Sequence, residues 1–158
     1  MGVEIERKFL VDDGGSWRAS ADHGTSVRQG YLSTGPGPGP AVRIRVRGDA
    51  AYLTIKGPTT GFTRAEYEYE IPVADATEML DRWCERVIDK TRYLVAVGRH
   101  TWEIDEFHGA DDGLVVAEVE LSSEDEPFDM PDWARAEVTD DARYYNTNLV
   151  AHPFSTWT

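Results

Sequence analysis

The chain is nearly free of cysteine. Its 158 residues include one, Cys84, which excludes an internal disulfide and a thiolate metal cluster and favours a reducing, cytoplasmic environment. The sequence also lacks an apolar run long enough to span a bilayer, and its charged first residues are unlike a signal peptide. We therefore expect a cytoplasmic protein with no membrane partner.

Basic residues are outnumbered. The chain has 16 Lys and Arg against 29 Asp and Glu, a net charge of −13, which argues against a nucleic-acid-binding protein. Such a protein can bind anions only if its cations are concentrated in one place or if it recruits metal ions. The length and the 41% hydrophobic content predict a single globular domain over residues 1–158.

Alternation of apolar and polar residues predicts eight mostly antiparallel strands. They are expected at residues 4–11, 25–33, 41–47, 52–56, 62–72, 90–97, 101–107 and 114–122. The Gly- and Pro-rich residues 34–40 predict a mobile loop. An acidic, Pro-containing loop is expected after the last strand.

Helical spacing of apolar residues predicts two helices. The first has Asp75 as its N-cap and ends near Arg86. The second runs from about Asp140 to Val150, with Thr139 as its N-cap.

Charged residues occupy one face of seven of the predicted strands, and apolar residues occupy the other. They come in blocks of one sign, whereas a surface built only for solubility mixes its charges. The blocks are Glu4/Glu6 followed by Lys8, Arg43/Arg45/Arg47, Glu66/Glu68/Glu70, Lys90/Arg92, Glu103/Asp105 and Glu118/Glu120. The first block, taken alone, is better interpreted as a solvated strand face.

Closure of the sheet would turn these blocks inward. Because dry burial of so many ions would cost several kcal/mol each, a closed barrel would need a hydrated tunnel for charged ligands. Arginine forks suit phosphate oxygens, and paired carboxylates suit Mg²⁺ or Mn²⁺. We therefore predict an α+β fold, a closed eight-stranded antiparallel β-barrel flanked by a few helices, with the ingredients of phosphoryl-transfer chemistry.

Taken in order, these residues resemble the CYTH domain family, also called triphosphate tunnel metalloenzymes. The resemblance covers most of residues 3–150. It rests on Glu4-x-Glu6-x-Lys8, Gln29-Gly30-Tyr31-Leu32, Val42-Arg43-Ile44-Arg45, Leu53-Thr54-Ile55-Lys56, Glu66/Glu68/Glu70, Lys90-Thr91-Arg92, Trp102-Glu103-Ile104-Asp105, Glu118-Val119-Glu120 and Tyr144-Tyr145-Asn146. Residues 34–40 and those after Val150 match no pattern of the family.

The resemblance implies a tunnel that binds triphosphates with a divalent metal, Mg²⁺ or Mn²⁺. The compact length of the chain is similar to that of the small bacterial members of the family, which hydrolyse inorganic triphosphate. The resemblance implies that the substrate is bound by Lys8, Arg43, Arg45, Lys56, Lys90 and Arg92. It implies metal-side carboxylates at Glu4, Glu6, Glu118 and Glu120, with Glu68 as a further ligand or water-positioning group. The implied catalytic residues are Lys8, Tyr31 and Glu68.

Several neighbouring residues have two interpretations. Arg47, Glu66 and Glu70 suit a rim or structural ion pair as well as substrate contact. Glu103 and Asp105 suit orientation of Lys90 or Arg92 as well as metal binding. Tyr144 and Asn146 are expected to dock the last helix, and the histidines to lie at the surface.

The expected reaction converts inorganic triphosphate to pyrophosphate and phosphate. The alternatives are a class IV-type adenylate cyclase or a nucleoside or thiamine triphosphatase of the same family, and a non-catalytic module that binds polyphosphate or nucleotide. We expect a small-molecule triphosphate partner, no nucleic-acid partner, and a monomer or homodimer.

The implied catalytic role of Tyr31 can be tested by substitution. A tyrosine beside the Lys8 ammonium has its phenolate favoured, which would make it a better proton acceptor for an attacking water; metal-bound water activated by a carboxylate is an equally available route. On the first route, Tyr31→Phe lowers turnover and leaves triphosphate binding intact, measured as kcat and Kd. Unchanged turnover would remove Tyr31 from the mechanism.

Overall fold

The computed structural model describes residues 2–12, 14–34, 39–61 and 63–158. These residues form nine strands, and every strand predicted from the sequence is confirmed, with ends shifted by a few residues. The strands are β1 (Gly2–Val11), β2 (Thr25–Ser33), β3 (Ala41–Arg47), β4 (Ala50–Lys56), β5 (Thr63–Ile71), β6 (Ile88–Val97), β7 (His100–Phe107), β8 (Val115–Glu120) and β9 (Ala134–Glu137). Residues 35–38 of the predicted loop and residue 62 lie outside the described residues.

The sheet closes on itself through β1. The strand order is β5-β4-β3-β2-β6-β7-β8-β1, and β1 also pairs with β5. Residues Gly2 to Ile5 of β1 pair with β5, and residues Glu6 to Leu10 pair with β8. All of these pairings are antiparallel. The predicted closed eight-stranded antiparallel barrel is therefore confirmed.

The ninth strand was not predicted. β9 pairs with the second half of β1, where Phe9 is opposite Glu137 and Val11 is opposite Ala134. It covers the edge of β1 that β5 leaves unpaired. Four residues within an acidic loop are too few to show a strand period, so sequence patterning gave no signal for it.

The first helix, α1 (Val73–Trp83), begins earlier than predicted. Its N-cap is Pro72, whose carbonyl accepts the first helical hydrogen bond from Ala76 N at 3.1 Å. The expected capping by Asp75 is wrong, because the helix has already begun at Val73 and Asp75 lies inside its first turn. The helix ends at Trp83, before the predicted Arg86, because Cys84 is extended.

The predicted helix from Asp140 to Val150 is also wrong in length. The chain forms a short 3₁₀ turn (Ala142–Tyr144) and the four-residue α2 (Asn146–Leu149). Thr139 does not cap a helix: its hydroxyl accepts from Lys8 N at 3.0 Å and donates to Glu137 at 2.6 Å. Tyr145 is extended and interrupts the segment.

The apolar core lies on the outside of the barrel. One cluster packs Trp102 and Phe9 against Trp17 and Trp133 from the connecting segments, a second packs β8 against Leu149, and a third packs Ile44 and its neighbours against α1. Helices and connecting segments thus provide coverage for most strands. It is incomplete on the outer face of β5 and its neighbours, where Val3, Tyr67 and Tyr69 are exposed. None of the described helices is long and apolar enough to cross a membrane.

The packing of α1 on β2 supplies a stability test. A Cβ on Gly30 would lie 2.7 Å from Cys84 Cβ and 3.1 Å from Leu80 Cδ2. We expect Gly30→Ala to destabilise the fold by about 1–3 kcal/mol through overpacking, measured by urea unfolding. Gly39→Ala is the control, because no atom of the described residues lies within 4 Å of the added Cβ there. Equal stability of the two variants would show that the helix can move away from the sheet at little cost.

Candidate active site

The inward faces of the strands line a channel. Cross-strand register places Arg45 beside Gln29 and Arg43 beside Thr54, with Glu68 opposite Thr54. Arg43 and Arg45 are only 4% and 7% exposed. Two adjoining cavities of about 530 and 80 Å³ occupy the interior. They share the lining residues Glu4, Glu6, Arg43, Lys56 and Asn146.

Most of the predicted site residues line these cavities. The larger cavity is lined by Glu4, Glu6, Arg43, Arg45, Lys56, Glu68, Arg92, Glu118 and Glu120. Lys8 and Tyr31 line the smaller one. Lys90 lines neither: its side chain is fully buried beneath the channel wall.

Asp105 organises the β6–β7 wall. Its carboxylate accepts from Lys90 Nζ at 2.7 Å and from Arg92 Nε and Nη2 at 2.8 and 2.9 Å. Burial opposes its charge, but the two cations outweigh burial and hold the pKa of Asp105 far below its usual value. Glu103 accepts from Arg92 Nη1 at 2.7 Å. Of the two interpretations, the structure therefore favours orientation: Asp105 holds Lys90 and Arg92, and Glu103 holds Arg92.

The β2–β3 wall has unmatched positive charge. Arg45 Nε donates to Gln29 Oε1 at 2.9 Å, and no carboxylate of the described residues lies within ion-pair distance of Arg45. Burial, Arg43 and Arg92 lower the pKa of Arg45 to about 9. Arg43 Nε and Gln29 Nε2 are buried donors without a partner among the described residues. This wall suits an anion, which would supply the missing charge and acceptors.

Gln29 and Thr54 were missed as site residues. Thr54 accepts from Arg43 Nη2 at 3.3 Å and donates to Glu68 at 3.2 Å. Gln29 shares the strand parity of Tyr31, which could have indicated its inward direction. Neither residue is charged, and the search for blocks of charge therefore passed over both.

Carboxylates gather where β1 meets β8 and β5. Burial, Glu118 and Glu4 raise the pKa of Glu6 well above its usual value. Burial and the Glu4 carboxylate raise the pKa of Glu66 to about 7. Burial, Glu4 and Glu103 likewise raise the pKa of Glu120. Such mutual repulsion is what a bound divalent cation would relieve.

The carboxylates are not gathered tightly enough to form a metal site as they stand. Among the described residues, no three Asp, Glu, His or Cys side chains are close enough to hold a metal ion. Glu4 instead accepts from Lys56 Nζ at 2.8 and 3.0 Å, and Glu68 lies 3.7 Å from Arg43. The structure therefore brings Glu66, rather than the predicted Glu68, into the electrostatic environment of Glu4.

Lys8 lies between the β8 wall and the segment after β9. Its Nζ donates to Tyr144 O at 3.2 Å and is 3.5 Å from Glu118 Oε1. Burial opposes its charge, but Glu118 and Glu6 outweigh burial and raise the pKa of Lys8. In return, Lys8 and Arg92 overcome burial and lower the pKa of Glu118 to about 2. Tyr31 lines the same cavity as Lys8, without a hydrogen bond to it among those of the described residues.

The expected position of Asn146 is wrong. We expected it to dock the last helix, yet it lines both cavities, and its buried Oδ1 has no partner in the described part of the chain. The expectation for Tyr144 fits better, because its ring packs against Trp157 with centroids 5.1 Å apart. Arg47 and Glu66 line the larger cavity, whereas Glu70 does not.

The histidines were expected at the surface, and two of the four are. His23 and His152 are exposed, but His100 and His108 are half-buried. His108 is held by Thr91 at 2.8 Å, and His100 contacts Glu126. None of them lines either cavity.

A closed barrel with an interior channel lined by charges of both signs is typical of a protein that binds a small polyanion inside its sheet. Consistent with that class, the CYTH domain family matches residues 2–151. The chain belongs to this family.

Relatives in the family match nearly the whole chain. An inorganic triphosphatase of Acetivibrio thermocellus is 48% identical over 155 residues, covering 98% of this chain and 97% of the relative. An inorganic triphosphatase of Nitrosomonas europaea is 37% identical over 150 residues, covering 93% and 96%. The crystal structure of an inorganic triphosphatase superposes with a TM-score of 0.63 at 37% identity, covering 95% of each chain.

The Asp105 network can be tested through stability. Asp105→Asn leaves the fully buried Lys90 without its charge partner, so we expect a loss of about 3–5 kcal/mol in the free energy of unfolding. Chemical unfolding followed by tryptophan fluorescence measures it. Glu78→Gln is the control, because it breaks an exposed ion pair with Arg82 and should change stability by less than about 1 kcal/mol. A loss as small as that of the control would mean that water reaches Lys90.

Proposed function

We propose that this protein hydrolyses inorganic triphosphate to pyrophosphate and phosphate inside its barrel. The observation that carries the proposal is the interior wall of buried cations with unmatched charge and unpartnered donors beside Arg43 and Arg45. The two relatives that match nearly the whole chain are inorganic triphosphatases, which supports the same substrate here.

The cations have different proposed roles in substrate binding. Arg43, Arg45, Lys56 and Arg92 line the larger cavity and would hold the phosphate oxygens, the arginines through their planar forks. Lys8 would hold one end of the substrate from the smaller cavity. Lys90 lies beneath the wall, so its role is to fix Asp105 and, through it, Arg92.

The carboxylate side of the channel has the donor chemistry for a divalent cation, although its side chains must move closer together to coordinate one. Glu4, Glu6, Glu118 and Glu120 would hold it, because their oxygens are the donors that hard cations prefer and because burial and neighbouring carboxylates raise the pKa of Glu6 and Glu120. Metal dependence is typical of CYTH triphosphatases, and Mg²⁺ or Mn²⁺ is the proposed ion. When bound, such an ion polarises phosphoryl oxygens as a Lewis acid.

Glu68 is better suited to positioning than to metal binding. It lies 3.7 Å from Arg43 and accepts from Thr54, which itself accepts from Arg43. It would thereby fix the direction of the Arg43 guanidinium, or hold a water beside it. Tyr31 shares the smaller cavity with the Lys8 ammonium, and Tyr31 would be the group that receives the proton of an attacking water.

The test is a phosphate-release panel with inorganic triphosphate, ATP, thiamine triphosphate and longer polyphosphate, each with Mg²⁺, with Mn²⁺ and with a chelator. We expect the fastest release from inorganic triphosphate with metal and none with the chelator. Arg43→Ala should lower kcat/KM by about a hundredfold, since it removes a donor for phosphoryl charge. Loss of phosphate release in that variant would also show that the activity does not come from a contaminating phosphatase.

Other outcomes would favour the alternatives. Cyclic AMP formed from ATP would identify a cyclase, which must direct the ribose hydroxyl rather than water at phosphorus. Binding of triphosphate without release under any condition would identify a non-catalytic module. Oligomeric state and cytoplasmic location stay predictions that this panel does not address.

A further inference from the structure

We propose that Gln29 is the positioning residue for Arg45: its side-chain carbonyl fixes the guanidinium and, being neutral, leaves the positive charge free for the triphosphate. The inference rests on the proposed function. It goes further by assigning part of the substrate affinity to an uncharged residue.

The contact between Gln29 and Arg45 is a direct hydrogen bond in a buried position. Gln29 and Arg45 are cross-strand partners in β2 and β3. Gln29 Oε1 accepts from Arg45 Nε at 2.9 Å, and the Gln29 side chain is fully buried. The bond therefore holds the inner edge of the guanidinium. The terminal nitrogens of Arg45 have no hydrogen bond to any described residue, and Arg45 lines the larger cavity.

Arg45 differs in this respect from the other cations that the sequence predicts for the substrate. Each of those lies within 4 Å of a carboxylate: Lys8 of Glu118 at 3.5 Å, Arg43 of Glu68 at 3.7 Å, Lys56 of Glu4 at 2.8 Å, Lys90 of Asp105 at 2.7 Å and Arg92 of Asp105 at 2.8 Å. Within the described residues, no carboxylate comes that close to Arg45. Its charge is therefore the least compensated in the channel.

A neutral acceptor is what such a cation requires. A carboxylate at residue 29 would hold Arg45 equally well but would cancel its charge before the substrate arrives. An apolar side chain would leave a buried N–H without an acceptor and the guanidinium free to turn. Burial, together with the crowding of Arg45 by Arg43 and Arg92, lowers the pKa of Arg45, and this fits a position that is completed only by a bound anion.

The second polar atom of Gln29 argues against a purely structural role. Its Nε2 is buried and has no partner in the described part of the chain. An unsatisfied buried donor costs stability, so an apolar residue of the same size would serve the core better. The bond to Arg45 is the contact that makes the amide useful at this position.

The experiment measures KM and kcat for triphosphate in Gln29→Met and Gln29→Glu, which keep the size of the side chain. We expect Gln29→Met to raise KM about tenfold, the usual effect of losing a hydrogen bond to a charged group. Gln29→Glu should raise KM further, although it keeps the hydrogen bond, because it pairs the charge. The kcat of both should stay within about threefold of the wild type, since the reacting atoms are untouched.

A double-mutant cycle shows whether Gln29 acts through Arg45. In an Arg45→Met background, the same substitutions should no longer change the affinity for triphosphate, measured as Kd by calorimetry. Thr91→Val is the stability control: it removes a half-buried hydrogen bond to His108 outside both cavities, and its KM should equal that of the wild type.

Two results would overturn the inference. One is a KM within twofold of the wild type for both Gln29 variants; the other is an effect that persists undiminished without Arg45. If Gln29→Met does not fold, the isosteric Gln29→Glu is used alone, and a KM within twofold of the wild type for that variant would overturn the inference. If the wild-type protein releases no phosphate from triphosphate, the proposed function is refuted instead. The role of Gln29 would then be tested separately, by comparing the Kd for triphosphate of the Gln29 variants with that of the wild type.

Discussion

The whole arrangement depends on the pairing of β1 with both β5 and β8. The first half of the strand joins one edge of the sheet and the second half joins the other. Without that double pairing, the charged faces would be an ordinary hydrated surface. With it, they become the wall of a cavity, and the apolar faces become an outer surface that α1, α2 and the connecting segments must cover.

Closure creates two walls of different character. On β6 and β7, the cations are matched by Asp105 and Glu103 at hydrogen-bond distance, so that wall is fixed and nearly neutral. On β2 and β3, Arg45 is held by an amide, and positive charge remains unmatched. A polyanion in the channel would therefore gain most from the second wall, while the first keeps its shape.

The period of two in the sequence predicted the strands and the direction of their charged side chains. That signal is local, and it succeeds because the same alternation decides which face of a strand is buried. It could not rank Glu66 against Glu68, since their distances to Glu4 depend on the register between β1 and β5. Nor could it place Lys90 beneath the wall or Asn146 inside the channel, because both positions depend on tertiary packing.

The errors near residues 134–150 have a common cause. Lys8 binds Thr139 through its backbone and Tyr144 through its side chain, and these long-range contacts replace the helix that local propensity favours. Likewise, β9 is a strand because β1 offers an unpaired edge. Gln29 was passed over for a different reason: its importance lies in having no charge.

The position of β1 in the chain has a consequence for biosynthesis. β1 precedes the other described strands in the chain, yet its partners extend to Glu120 in β8 and to Glu137 in β9. A ribosome therefore releases the strand that bears Glu4, Glu6 and Lys8 long before anything can pair with its second half. The nascent polypeptide must carry an open sheet with bare edges until β8 and β9 have been made, and only then can the ring be completed.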